Sequence, residues 1–320
     1  MSGDLFGRIR EACAEVARRA RSVRIDAARV TAFGAELAAA PEGPSLDPAH
    51  ARLGDAAATL AYVITLDAIN FGSGWFPHLH KRPGLSGYRT IAAALKQRFE
   101  REGPWSARDL CGLSAGECAA VFGQETAGPE AAELMERFAQ ALRQLGAWLE
   151  QRHAGRFEGP VEAAAGSAER LVGQLAEMEF YRDEARYQEL RVPLYKRAQL
   201  TVSDLAAAFG GAGPGRFRDL DRLTLFADNL VPHVLRYEGV LVYAPDLARR
   251  IEAEETLPAG TPEEVEIRAV AVHAVEQLVE ASARAGRPTT AAALDHRLWN
   301  RGQEPEIKAR PRHRTRTVYY

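Results

Sequence analysis

The sequence predicts a mainly α-helical protein, and three observations carry that expectation. Apolar residues recur at three- and four-residue spacing along most of the 320 residues. Strand-like runs are few and short. Strands and helices nowhere alternate in the manner of a Rossmann-type sheet. With 46% hydrophobic and 26% charged residues, the chain has an ordinary globular balance and the length for a large core enclosing a site.

Taken in chain order, the apolar spacing predicts helices over Leu5–Val23, Ala27–Ala39, His50–Asn70, Tyr88–Arg101, Pro129–His153, Ser167–Met178 and Leu194–Phe209. Pro193 is expected in the first turn of the last of these, where its missing N–H costs nothing. Three more are predicted at Leu223–Tyr237, Pro262–Ala285 and Thr290–Trp299, with Thr261 as an N-cap and Glu264 three positions on. Val240–Tyr243 and Thr315–Tyr320 are the strand-like pieces, expected to pair as a small sheet near the C-terminus. The chain reads as a single helical domain over 1–320 that can divide into lobes 1–160 and 161–320. The turn-rich break Phe157–Gly166 marks where they would meet, with the site between them.

Charge and composition exclude several classes. A formal net charge of −2 lacks the broad positive field that duplex nucleic acid requires, although a local basic pocket for a small anion stays open. The basic tail Lys308–Arg316 is expected to be an ordered strand with a solvated edge, since Tyr319 and Tyr320 follow it and favour burial. Cys13, Cys111 and Cys118 are odd in number and form no CxxC, so a reduced, cytoplasmic protein without a disulfide framework or zinc ribbon is expected. The start of the chain lacks a basic-then-apolar leader, and the apolar run Ala56–Leu66 stops at Asp67, so no membrane span is expected.

Four places carry chemistry. Within Leu223–Arg236, Asp228 falls on the apolar face and Pro232 follows four residues later, so the helix must kink or begin anew at Asp228. A partly buried carboxylate at a backbone fault suits binding or catalysis; equally, Asp228 can cap a short helix with Pro in its first turn. In Thr65–Phe76, Asn70 and Phe71 end an apolar helix and can form a wall for a flat heterocycle, or Gly72 can cap a helix whose aromatics close the core. Lys196 and Arg197 stand near a helix N-terminus, able to hold a phosphate or to lie on a solvated face. Asp295 and Trp299, four apart, can meet ligand N–H groups, or Asp295 can form an ordinary structural ion pair with an Arg. His50 opens another apolar helix and by itself reads as a cap. Phe209–Arg216 lacks the Gly-Lys-Ser/Thr of a P-loop, and His78 and His80 have no third ligand at helical spacing.

Leu66-Asp-Ala-Ile-Asn-Phe71, Tyr195-Lys-Arg-Ala-Gln199, Leu225-Phe-Ala-Asp228 with Pro232, Glu264-Val-Glu-Ile-Arg268 and Leu294-Asp-His-Arg-Leu-Trp299, in this order, resemble the queuosine salvage protein family. The resemblance covers most of the chain, through a tail ending Val318-Tyr-Tyr320. It implies a helical, DNA-glycosylase-like fold and the hydrolysis of queuosine 5′-monophosphate, a small-molecule substrate, to queuine. It implies Asp228 as the catalytic carboxylate that stabilises the oxocarbenium-like transition state and activates water, with His50, Asn70, Phe71, Lys196, Phe226 and Asp295 binding substrate, and no metal or organic cofactor. The rivals are a base-excision glycosylase and a non-catalytic nucleotide-binding module. Relatives often carry Tyr-Arg-Val-Pro-Gln after the acid where this chain has Asn229, Leu230, Val231, Pro232 and His233, which leaves Asn229, Leu230 and His233 poor catalytic candidates.

Overall fold

Helix starts are fixed by side chains that accept a backbone N–H three residues on. Asp4, Asp55, Ser86, Ser106, Ser114, Ser167 and Thr290 all do this, each satisfying a donor that the first helical turn leaves without a partner. The computed structural model describes residues 4–39 and 52–320, and it is mainly helical with two small antiparallel sheets of two strands each. Its described residues form two compact units. The first gathers residues 4–39, Asp183–Lys196 and Asp219–Arg316; the second gathers residues 52–182, Arg197–Arg218 and Thr317–Tyr320.

In the first unit, helices Leu5–Arg19 and Ala27–Ala39 pack on the long helix Pro262–Arg284. Gly34 permits the closer crossing, since a Cβ there would lie 2.5 Å from that of Ala281. The long helix buries charge as well as apolar surface. Glu266 accepts the N–H groups of Arg21, Ser22 and Val23 at 3.1, 2.6 and 3.1 Å and the Tyr187 hydroxyl at 2.8 Å, which compensates its desolvation. Burial, reinforced by that carboxylate, pushes the Tyr187 phenol up to about 12. Thr261 stands at the N-cap as the spacing predicts, but its hydroxyl donates to Pro258 O, and Glu264 instead accepts the Gly260 N–H.

The sheets differ from the expected one near the C-terminus. Leu241–Tyr243 pairs with Val23–Ile25, and Glu184–Tyr187 pairs with Leu190–Pro193. In the first pair both partners are short and carry alternate side chains inward, so each satisfies the other's backbone groups at matching register. The tail contributes only a bridge from Arg314 to Thr256. Pro193 lies opposite Glu184 as the last residue of its strand rather than in a first helical turn. Tyr195, in the left-handed region at φ 47°, turns the chain into helix Lys196–Ala208.

In the second unit, helices Ala56–Ala68, Ala107–Gly112 and Ala115–Phe122 pack on Pro129–His153. Edge-to-face aromatic pairs fill the interior, with Phe138 5.1 Å from Phe71 and 5.6 Å from Phe122. Tyr320 is buried there, and its carbonyl accepts the Gly72 N–H at 3.0 Å. No helix among the described residues is long and apolar enough to cross a membrane.

Candidate active site

Residues 223–229 are not helical, and the helix predicted to start at Leu223 runs instead from Leu230 to Tyr237. Pro232 is the reason. As the third helical residue it needs no N–H, whereas seven residues further into a continuous helix it would break the ladder. Asp228 starts the helix: its Oδ1 accepts the N–H groups of Leu230 at 2.8 Å and Val231 at 3.0 Å. Carboxylate and positive helix end are thereby matched. Both bonds use Oδ1, and no hydrogen bond reaches Oδ2 among the described residues. The side chain is partly exposed, although Phe226, Ala227 and Asn229 around it are buried.

The residues on either side of Asp228 are tied separately. Asp295, on helix Ala291–Arg301, accepts the Phe226 N–H at 3.1 Å. The Phe226 ring meets His296 edge-on at 6.1 Å. Arg268 Nε donates to Ala227 O at 3.0 Å, and the Asn229 amide donates to His313 O at 3.3 Å. The acid thus sits on a short segment with little freedom to reorganise.

Arg268 extends this frame to Lys196. Its guanidinium pairs in two-pronged fashion with Asp183, Nη1 to Oδ1 at 3.0 Å and Nη2 to Oδ2 at 2.6 Å, with Glu264 at 3.8 Å. The same Asp183 Oδ2 accepts the Lys196 N–H at 3.1 Å, and Asp183 O accepts from Leu194 and Tyr195. One buried ion pair therefore holds both the carbonyl before Asp228 and the start of the helix that presents Lys196. Asp183 carried no local signal in the sequence, because its partner lies 85 residues away.

The tail beside Asn229 alternates from Arg312 to Thr317, with His313, Thr315 and Thr317 buried and the arginines between them facing outward. Burial pushes the His313 imidazole down to about 3, assisted by the charges of Arg268 and Arg312. Arg312 is held below the usual arginine range by burial, and the negative charge of Asp228 opposes that fall.

A family model described as queuosine salvage protein matches residues 49–320. The chain belongs to the queuosine salvage protein family. It is similar to a Sphaerobacter thermophilus protein named queuosine 5′-phosphate N-glycosylase/hydrolase, 38% identical over 311 residues and 95% of each chain. Proteins of the same name from Mus musculus and Dictyostelium discoideum are 30% and 31% identical, covering 97% and 82% of this chain and 98% and 78% of their own.

In this family member Asp228, Phe226, Asp295 and Lys196 all belong to the first unit, whereas Asn70 and Phe71 belong to the second. Asn70 is partly exposed and donates to Asp67 Oδ1 at 3.4 Å. Phe71 is 2% exposed, packed against Phe138 and with the Arg197 guanidinium 4.9 Å from its ring centre. Arg197 is committed as well. Its Nη1 reaches Ala68 O at 2.6 Å and Asp67 O at 3.3 Å, Nη2 meets Phe180 O, and its other ring neighbour is Tyr181 at 4.7 Å. It ties backbone carbonyls and does not wait for a phosphate. His50 lies outside the described residues.

Proposed function

We propose that this protein hydrolyses the N-glycosidic bond of queuosine 5′-monophosphate, releasing queuine and ribose 5-phosphate. The names of its relatives support the reaction, and the geometry of Asp228 supports the residue that performs it. As the bond from C1′ to the base nitrogen lengthens, positive charge grows on C1′ and the ring oxygen. A carboxylate fixed beneath that carbon stabilises the charge and orients the attacking water. Water oxygen bonds to C1′, one water proton leaves towards the departing nitrogen, and the bonding pair goes with the base.

Asp228 suits this because its two oxygens have different duties. Oδ1 is spent on the helix start, which fixes the carboxylate, and Oδ2 remains for the ribose and water. Ties on Phe226, Ala227 and Asn229 keep the acid placed before substrate arrives, so little reorganisation accompanies the reaction. The base lacks the N7 that purine hydrolases protonate, so its departure relies on donors and acceptors at its other edges. Phe226 and Asp295 are the groups proposed to orient it, with Lys196 near the ribose phosphate. The three free thiols suit a reducing, cytoplasmic setting, with a free nucleotide rather than duplex nucleic acid as substrate.

Incubation of the purified protein with queuosine 5′-monophosphate should yield free queuine and ribose 5-phosphate by mass spectrometry. Release of a base from duplex DNA, with none from the nucleotide, would overturn the reading in favour of a base-excision enzyme.

A further inference from the structure

The outward arginines of the tail are not equivalent. Arg314 pairs with Glu254 at 2.8 Å, and the nearby Arg310 lies over the Tyr237 ring at 4.9 Å. Arg312 has neither a hydrogen bond nor an ion pair among the described residues, although it is only partly exposed. Leaving a guanidinium desolvated without an acceptor is unfavourable, and its five donors in a planar fork match a phosphate.

Its position is fixed by its neighbours. His313 O accepts from Asn229 at 3.3 Å, and Arg314 O accepts the Leu257 N–H at 2.9 Å, so the backbone on the far side of Arg312 is pinned twice. Arg312 precedes His313 as Asp228 precedes Asn229, which places the two charges in one neighbourhood. They attract each other across it without forming an ion pair. A carboxylate and an uncommitted guanidinium in one neighbourhood can serve the two ends of a nucleoside monophosphate: the sugar carbon at one, the phosphate at the other. Of the other cations offered for the phosphate, Arg197 is occupied by carbonyls.

We propose that Arg312 binds the 5′-phosphate of the substrate and so sets the preference for nucleotide over nucleoside. This rests on the hydrolase reading of Asp228, but its test does not require turnover. Calorimetric titration with ribose 5-phosphate should show binding to the wild-type protein that weakens at least about tenfold in Arg312→Ala and only partly in Arg312→Lys, the bidentate fork being lost but a charge kept. Unphosphorylated ribose serves as the control and should not distinguish the variants. In turnover, Arg312→Ala should raise KM for queuosine 5′-monophosphate with kcat kept within about threefold, and should leave kcat/KM for the nucleoside unchanged.

Equal losses for nucleotide and nucleoside, or unaltered ribose 5-phosphate binding, would overturn the assignment. Arg312-dependent binding of ribose 5-phosphate without any queuine release from wild type would uphold the phosphate site and sink the hydrolase reading instead. An unchanged melting temperature in Arg312→Ala separates either outcome from a folding defect.

Discussion

Asp67 occupies the last turn of helix Ala56–Ala68 with no exposed surface, whereas Asp228 precedes helix Leu230–Tyr237 and keeps part of its surface open. Both acids follow apolar runs and look alike in sequence. The helix ends distinguish them. Asp67 faces the negative end of its helix, and there the chain supplies Arg197, a cation bonded to the Asp67 and Ala68 carbonyls. Asp228 stands at a positive end and is held by N–H groups alone, through one oxygen. The first arrangement consumes its charge in joining chain segments. The second fixes a carboxylate while leaving its other oxygen without a protein hydrogen bond among the described residues.

Acid should divide the two regions most strongly. His313 is buried at about 3 against an ordinary 6.5, so below about pH 6.5 the unfolded chain takes up a proton that the folded chain refuses. The stabilisation is complete above that pH and declines on acidification by about 1.4 kcal/mol per unit, up to roughly 5 kcal/mol by pH 3. Protection factors for the Leu230 and Val231 amides, which hydrogen-bond Asp228, should fall between pH 6.5 and 4 more than those of Asn70 and Phe71. Equal falls would show that His313 does not set the acid sensitivity of the Asp228 region.

The buried arginines sharpen the contrast next. Arg268→Met leaves Asp183 buried without its partner and frees Ala227 O, a loss of about 3–5 kcal/mol in chemical denaturation, with turnover falling too because Asp228 and Lys196 lose their shared support. Arg197→Met, which removes a donor from three carbonyls, should cost about 2–4 kcal/mol while kcat and KM at a permissive temperature stay near wild type. A raised KM in Arg197→Met would return this residue to the ligand.

Asp228→Asn should act on rate alone. Asn caps a helix about as well as Asp, so stability should shift by less than about 0.5 kcal/mol. Turnover should drop at least about a hundredfold, equivalent to about 2.7 kcal/mol of transition-state stabilisation. Near-normal queuine release from the variant would move the catalytic role to another group.

Much of this was legible in the residues. Ala27–Ala39 and Pro129–His153 match their predicted bounds because their apolar stripes and proline or glycine borders are local features. Ala107–Gly112, Ala115–Phe122 and Pro245–Glu252 escape the same reading because a helix of two turns is too short to display a period. At Asp228 the pairing of acid and proline marked the right place, but the outcome was the capped short helix, not a kink in a long one. Capping and catalysis had stood as alternatives; an acid has two oxygens, and one of them suffices for the cap. Phe71 and Arg197 were ambiguous in sequence for a shared reason. Stacking on a base and packing against Phe138 require the same side chain, and holding a phosphate or three carbonyls requires the same guanidinium. Asp183 acquires meaning only from a partner far along the chain, and Arg312 only from the segment its neighbour His313 packs beside.

Gly34 gives the first unit a mechanical property. Arg268 and Ala281 lie on one helix, 13 positions and about 20 Å apart at 1.5 Å per residue. A rigid rod with a fulcrum at one end transmits tilt to the other, and the fulcrum here is the crossing where Gly34 leaves no room for a side chain. A single methyl group inserted at that crossing would swing Arg268, and with it the carbonyl before Asp228, without coming near a ligand. A side chain at position 34 is thereby expected to reach the carbonyl before Asp228 through the helix rather than by contact.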